Sequence, residues 1–215
     1  MNSFEKITTF HIKLNRELVM HHIDCYPESP VYDEVVSEYE KIESEIIKII
    51  EPKAFFKFDT LLKDTAAMIG SSEGCQTMVV YVLLTIGEDI ANRSSQYFAA
   101  GDYLLGLLVN AMADTYLFQM DDLLKDFLIE NCRSRQFGIE KRLDAPAHMP
   151  MSVNKVILEE IKNEENLPME VTDGFMFDPV KTLGYILLLN EDEKTEYSGH
   201  NCKTCQQENC KMRRN

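Results

Sequence analysis

Tryptophan is absent from the 215 residues, so aromatic burial falls to Phe and Tyr. Positive charge is scarce. Lys and Arg number 22 against 36 Asp and Glu, a net charge of −14. Such a surface repels phosphate backbones and lacks the attraction that drives nucleic-acid binding, so a nucleic-acid partner is not expected. The one basic cluster, Lys211, Arg213 and Arg214, lies at the very end and reads as a solvated terminus. Long hydrophobic runs are missing too. The longest, Met78 to Ile86, is far short of the roughly 20 residues of a membrane helix. Met1-Asn-Ser-Phe-Glu-Lys lacks a basic stretch followed by an apolar one, so no secretory signal is evident. A cytoplasmic protein without a membrane partner is expected. Internal repeats and low-complexity segments are also missing.

What is present suits a globular protein. Hydrophobic residues make up 45% and charged residues 27%, and the length fits one domain with appendages. Residues 1–195 are expected to form that domain, and residues 196–215 a cysteine-rich tail. Ile7 to Leu14 alternates loosely and predicts a first strand. Asn15 predicts the N-cap of a short helix that Pro27 and Pro30 end. Val31 to Ile50 predicts an amphipathic helix, with Val35, Tyr39, Ile42, Ile46 and Ile50 at steps of three and four. Lys53 to Phe58 and Thr77 to Ile86 predict strands, the second one buried. Glu88 to Ala99 predicts a helix. With Asp102 as N-cap, Tyr103 to about Asn131 predicts one long central helix, apolar nearly all round through Leu117. Arg133 to Met151 has weak periodicity and two prolines, and predicts an extended binding loop. Ser152 to Lys162 predicts a helix. Met169 to Thr172 and Leu183 to Leu189 predict two strands joined by a turn from Asp173 to Pro179. These elements do not alternate as βαβ units. The expected fold class is α+β, a long central helix packed with further helices and a mainly antiparallel sheet.

The tail carries three of the six cysteines, Cys202, Cys205 and Cys210, spaced C-x2-C-x4-C. In a reducing compartment such thiolates suit zinc, an iron–sulfur centre or a redox pair. Three ligands are too few, so His200 or a cysteine from elsewhere is needed as the fourth. A flexible tail of reduced thiols is the plain alternative. Cys75 and Cys132 read as partly buried thiols. The adjacent His21 and His22 point in different directions on a helix, which favours structural or surface roles.

Several segments together resemble the activation domain of vitamin B12-dependent methionine synthase, and more closely its free-standing, single-domain relatives. Asn15-Arg-Glu-Leu-Val-Met-His-His-Ile, with the acidic helix and Glu51-Pro52-Lys-Ala, resembles their N-terminal half. Leu83-Leu-Thr-Ile-Gly87 resembles a strand of theirs, and Gly101-Asp102-Tyr103 with Ala111-Met-Ala-Asp114 the start of their long helix. Val171-Thr-Asp-Gly-Phe-Met-Phe-Asp-Pro179 and Lys181-Thr182 resemble their final strand pair. The resemblance implies a protein that keeps a corrinoid methyltransferase active. It would bind S-adenosylmethionine and present the methyl group to cobalamin on a partner's cobalamin-binding domain, with a reductase supplying an electron.

In the family an Arg shortly before a Pro-Gly-Tyr turn contacts the methyl donor. Arg142 matches it, within Arg142-Leu-Asp144-Ala-Pro-Ala-His148. Pro146 is retained, but Ala147 and His148 replace Gly and Tyr, which removes a backbone that approaches closely and a hydroxyl. A family Glu on the long helix falls at Leu117, which accepts no hydrogen bond; Asp114 and Asp121 lie about one turn to either side. The resemblance therefore makes Arg142, Asp114, Asp144 and His148 the candidate donor contacts. The plain alternatives are that Arg142 pairs with one of the many carboxylates and that Asp114 sits at a slightly exposed edge of the helix. Two functions stand at this point. One is an accessory protein for reactivation of a cobalamin-dependent methyltransferase. The other is a non-catalytic corrinoid-protein partner, or a metal or redox-sensing module, that has lost the donor site.

Overall fold

The computed structural model describes residues 3–69, 77–195 and 197. The elements, in chain order, are β1 (Ser3–Ile7), α1 (Arg16–His22), α2 (Tyr32–Ile49), β2 (Lys53–Thr60), α3 (Lys63–Met68), β3 (Met78–Thr85), α4 (Asp89–Ala100), α5 (Tyr103–Ser134), β4 (Gly138–Asp144), α6 (Val153–Lys162), β5 (Glu170–Val171), β6 (Phe177–Asp178) and β7 (Thr182–Asn190). Five strands form an antiparallel sheet in the order β1-β2-β3-β7-β4, and β5 with β6 makes a small hairpin. The expected α+β class and long helix are present.

The central strands are nearly continuous apolar runs because both faces are covered. On one face Ala54, Phe56, Phe58, Val80, Val82, Leu84, Tyr185 and Leu187 pack with residues of α2, α4 and α5. On the other, Phe55, Val79, Tyr81, Leu83 and Ile186 pack with Val153, Ile157 and Ile161 of α6. The result is three layers, with the sheet in the middle.

Lys57 lies on the α6 face of β2, opposite Tyr81 in the register. Its ammonium is held by Glu160 at 2.7 Å, Asp59 at 3.1 Å and Glu164 at 3.3 Å. Burial alone lowers its pKa; the bonds to Glu160 and Asp59 outweigh that and hold it above the ordinary lysine value. This charge cluster ties α6 to the sheet.

The local signals explain most boundaries. Asn15 caps α1 through Leu18 N at 3.2 Å. Asp33 and Glu34 sit in the first turn of α2 and Lys48 in its last, as the helix dipole favours. Gly101 ends α4 at φ 87°, a left-handed conformation that glycine adopts without strain. Asp102 occupies the N-cap position of α5, but its side chain forms no cap bond there. With 32 residues α5 is about 48 Å long.

Two expectations need correction. The first strand is Ser3–Ile7, not Ile7 to Leu14. Gln119 of α5 donates to Lys13 O and accepts from Asn15 N, both at 3.0 Å, so the end of that segment is tied to the helix, not to a ladder. The stretch from Arg133 to Met151 is not simply an extended loop. Its middle is β4, paired with β7 from Gly138↔Asn190 to Asp144↔Tyr185. A register shift between Ile139 and Lys141 breaks the alternation that would have revealed it. Short α3 and β6 were also not expected; β6 lies inside the turn expected from Asp173 to Pro179.

Candidate functional site

Asn110, Asp114, Leu117 and Asp121 follow one another on α5 at steps of four, three and four, which sets them along one stripe of the helix. Two polar stations lie on that stripe, with buried Leu117 between them.

The first station centres on Asp114. Lys181, just before β7, donates to Asp114 Oδ1 at 2.7 Å and to Asn110 Oδ1 at 2.8 Å. Asn110 donates to Asp114 Oδ2 at 3.4 Å, and His22 Nε2 of α1 is 3.6 Å from the same oxygen. Lys181 is placed by its backbone, whose carbonyl accepts from Ile86 N at 3.2 Å. Farther along the same stripe towards the N-terminus, Leu107 and Tyr103 are exposed at 49% and 67%. Val180, next to Lys181, is 55% exposed. The station thus joins a half-buried carboxylate and amide to a buried ammonium, beside exposed apolar side chains.

The second station centres on Arg142. As a residue of β4, it aligns with Leu187 of β7 and reaches α5. Its Nη1 donates to Asp121 Oδ2 at 2.6 Å, and its Nε to Asp144 at 2.8 Å and 3.1 Å. The guanidinium lies 3.7 Å from the centroid of the Tyr185 ring. Arg142 and Asp121 side chains are each only 12% exposed. Burial opposes the charge on Arg142, but the Asp121 carboxylate outweighs it and holds the pKa well above the ordinary value. Burial, followed by the Asp121 charge, pushes the Tyr185 hydroxyl well above the usual phenol range. Tyr197 also faces this group, and burial pushes its hydroxyl up to about 12.

The structure therefore brings Arg142 and Asp144 together and sets Asp114 apart, two helical turns from Asp121. His148 follows the strand; its Nδ1 accepts from Asp144 N at 3.3 Å and lies 3.9 Å from Asp144 Oδ2. The segment around Arg142 does fold against the long helix. At Arg142 itself the space is filled by the ion pair and the Tyr185 ring. A concavity of about 330 Å³ lies elsewhere, lined by Glu88, Lys162, Leu167, Met169, Glu170 and Asp178 among others.

Sequence reasoning missed Lys181 as the partner of Asp114, and it missed Tyr185 and Tyr197. No spacing marks any of them, because each arrives from a strand or segment remote in sequence. Cys202, Cys205, Cys210, His200 and Cys75 lie outside the described residues. Among the described residues no group of His, Cys, Asp and Glu could hold a metal ion, and no helix is long and apolar enough to cross a membrane. Cys25 and Cys132 are buried free thiols.

No family model matches the chain, and no curated protein matches it in sequence. Among solved structures, the MetH reactivation domain bound to AdoHcy is similar, with a TM-score of 0.53 and 12% identity, over 91% of this chain and 80% of that one. This chain shares the fold of the MetH reactivation domain. The likeness agrees with the segments that resemble that domain from end to end. In this fold the Arg142 strand, the long helix α5 and the Lys181 turn meet along one stripe.

Proposed function

We propose that this chain is an accessory protein that supports reactivation of a cobalamin-dependent methyltransferase of the methionine synthase type. The fold shared with the MetH reactivation domain carries the reading. The retained Arg142 and Pro146 and the Asp114 station support it. The donor would be S-adenosylmethionine. It supplies the methyl group, the corrinoid of the partner accepts it, and a reductase supplies the electron. The chain itself contributes binding and orientation.

The residues fit this donor in part. Asp114 and Asn110 offer acceptors to the amino group or the ribose of the donor, while the buried Lys181 ammonium is bonded to both and holds them in place. Tyr103, Leu107 and Val180 offer apolar surface. Leu117 offers no acceptor, and Arg142 is already engaged. The test is calorimetry of the purified protein with S-adenosylmethionine and, separately, S-adenosylhomocysteine. Saturable heat that Asp114→Ala weakens supports the reading. No heat at millimolar ligand, with the protein folded, removes the donor from it.

A second reading is favoured by one observation, the burial of Arg142 between its own carboxylates. In that reading the chain binds a cobalamin-binding domain without any donor. Co-elution with such a domain in the absence of both nucleosides, together with silent calorimetry, would select it.

A further inference from the structure

Arg142 is over-neutralised. One guanidinium meets two carboxylates, those of Asp121 and Asp144, at 2.6 Å and 2.8 Å, so the group carries a local net charge of −1. The Asp121 carboxylate comes from the very helix stripe that holds Asp114, and its Oδ2 accepts from Nη1, one of the two terminal nitrogens that an external carboxylate would have to reach. The face of the guanidinium is covered by Tyr185. A carboxylate arriving from solvent would meet a largely buried guanidinium whose Nη1 and Nε already donate to carboxylates, with a like charge in place.

We infer that Asp121 is a specificity-determining residue: an internal counter-ion that holds Arg142 closed against the carboxylate of an incoming amino-acid nucleoside. The inference rests on the donor reading above and describes regulation of that same site. The wild-type protein then recognises a donor through its nucleoside and sulfur, with its amino-acid end directed to the Asp114 station or to solvent. Opening Arg142 requires Asp121 to leave it.

The experiment compares two probes by calorimetry, S-adenosylhomocysteine and 5′-methylthioadenosine, which lacks the amino-acid end. Wild type should bind both within a few-fold. Asp121→Asn keeps the size of the side chain and removes its charge. It should gain about tenfold or more for S-adenosylhomocysteine, the scale of one favourable charge-assisted contact, and change little for methylthioadenosine. Adding Arg142→Gln to that variant should abolish the gain. Circular dichroism checks that each variant is folded. If Asp121→Asn does not fold, Asp144→Asn removes the other carboxylate from β4 and should give a smaller gain in the same direction. The inference is overturned if wild type already prefers S-adenosylhomocysteine by tenfold. It is equally overturned if folded variants bind both probes without a gain. Should neither wild type nor variants bind either probe, the donor reading fails and takes this inference with it.

Discussion

Lys57→Met is the sharpest test of how the α6 layer is held. The ammonium is the cation shared by Glu160, Asp59 and Glu164, and its side chain is only 6% exposed. At 2.7 Å and an effective dielectric of 20, attraction to Glu160 alone is on the order of 6 kcal/mol before desolvation. Much of that is offset by the removal of both ions from water, so the attraction itself is not the expected loss. Deleting one partner of a buried pair typically costs about 3–5 kcal/mol, because the other charge is left unpaired. Glu164 is 37% exposed and can turn to water, which favours the lower end of that range. Loss of about 3 kcal/mol corresponds to a fall in melting temperature of roughly 6–12 °C for a chain of this size. Urea unfolding followed by circular dichroism at pH 7 measures it. The direction with pH is a second check. Lys57 has a raised pKa, so its contribution is complete below the unfolded lysine value and is lost only as pH rises through the folded one. The variant instead holds carboxylates without their cation. The advantage of wild type over it should therefore persist through neutral and alkaline pH and shrink only as pH rises through the raised lysine value. A loss below about 1 kcal/mol at pH 7, the level of a surface pair, would refute the reasoning.

Burial pushes the Cys132 thiol up to about 12, so it should react with a disulfide reagent at pH 8 only as fast as the protein unfolds, measured against Cys132→Ser. Prompt modification without unfolding would contradict its placement. Burial likewise raises the Tyr81 and Tyr197 hydroxyls to about 12. The folded state keeps protons that the unfolded chain gives up near pH 10, so stability is full below about 10 and falls as pH rises towards 12. Ultraviolet titration should show these phenols ionising late, together with loss of structure. The tail cysteines carry a separate expectation: protein purified without oxygen should contain zinc or iron by elemental analysis, and Cys202→Ser with Cys205→Ser should lose it. Metal-free wild type would remove that reading.

The fold was legible where one physical signal dominated. The three- and four-residue rhythm of α2 gave its limits to within a residue. The apolar runs in β3 and α5 announced elements buried on several sides. β4 was illegible because Glu140, Lys141 and Arg142 put three charges into an edge strand that also carries a register shift. There the sheet partner, β7, overrides local preference. The site was half legible. Arg142 and Asp114 could be named from the resemblance to a family, and Asp121 stood one turn away from the position in question. Their engagement with Tyr185 and Lys181 is set by how β7 enters the sheet, and no local pattern encodes that. Lys57 shows the same limit: its alternation with Phe55 and Asp59 is visible, but Glu160 of α6, the carboxylate nearest its ammonium, lies about a hundred residues later.

The central claim is support of a corrinoid methyltransferase, and transfer of a labelled methyl group tests it most directly. A methionine synthase-type cobalamin-binding domain, with its cobalt oxidised to Co(II), is mixed with this protein, a low-potential reductant and methyl-labelled S-adenosylmethionine. Label should move to the corrinoid only when this protein is present, with S-adenosylhomocysteine formed in equal amount. Equal labelling with and without the protein, or none in either case while the two proteins bind each other, would contradict the account.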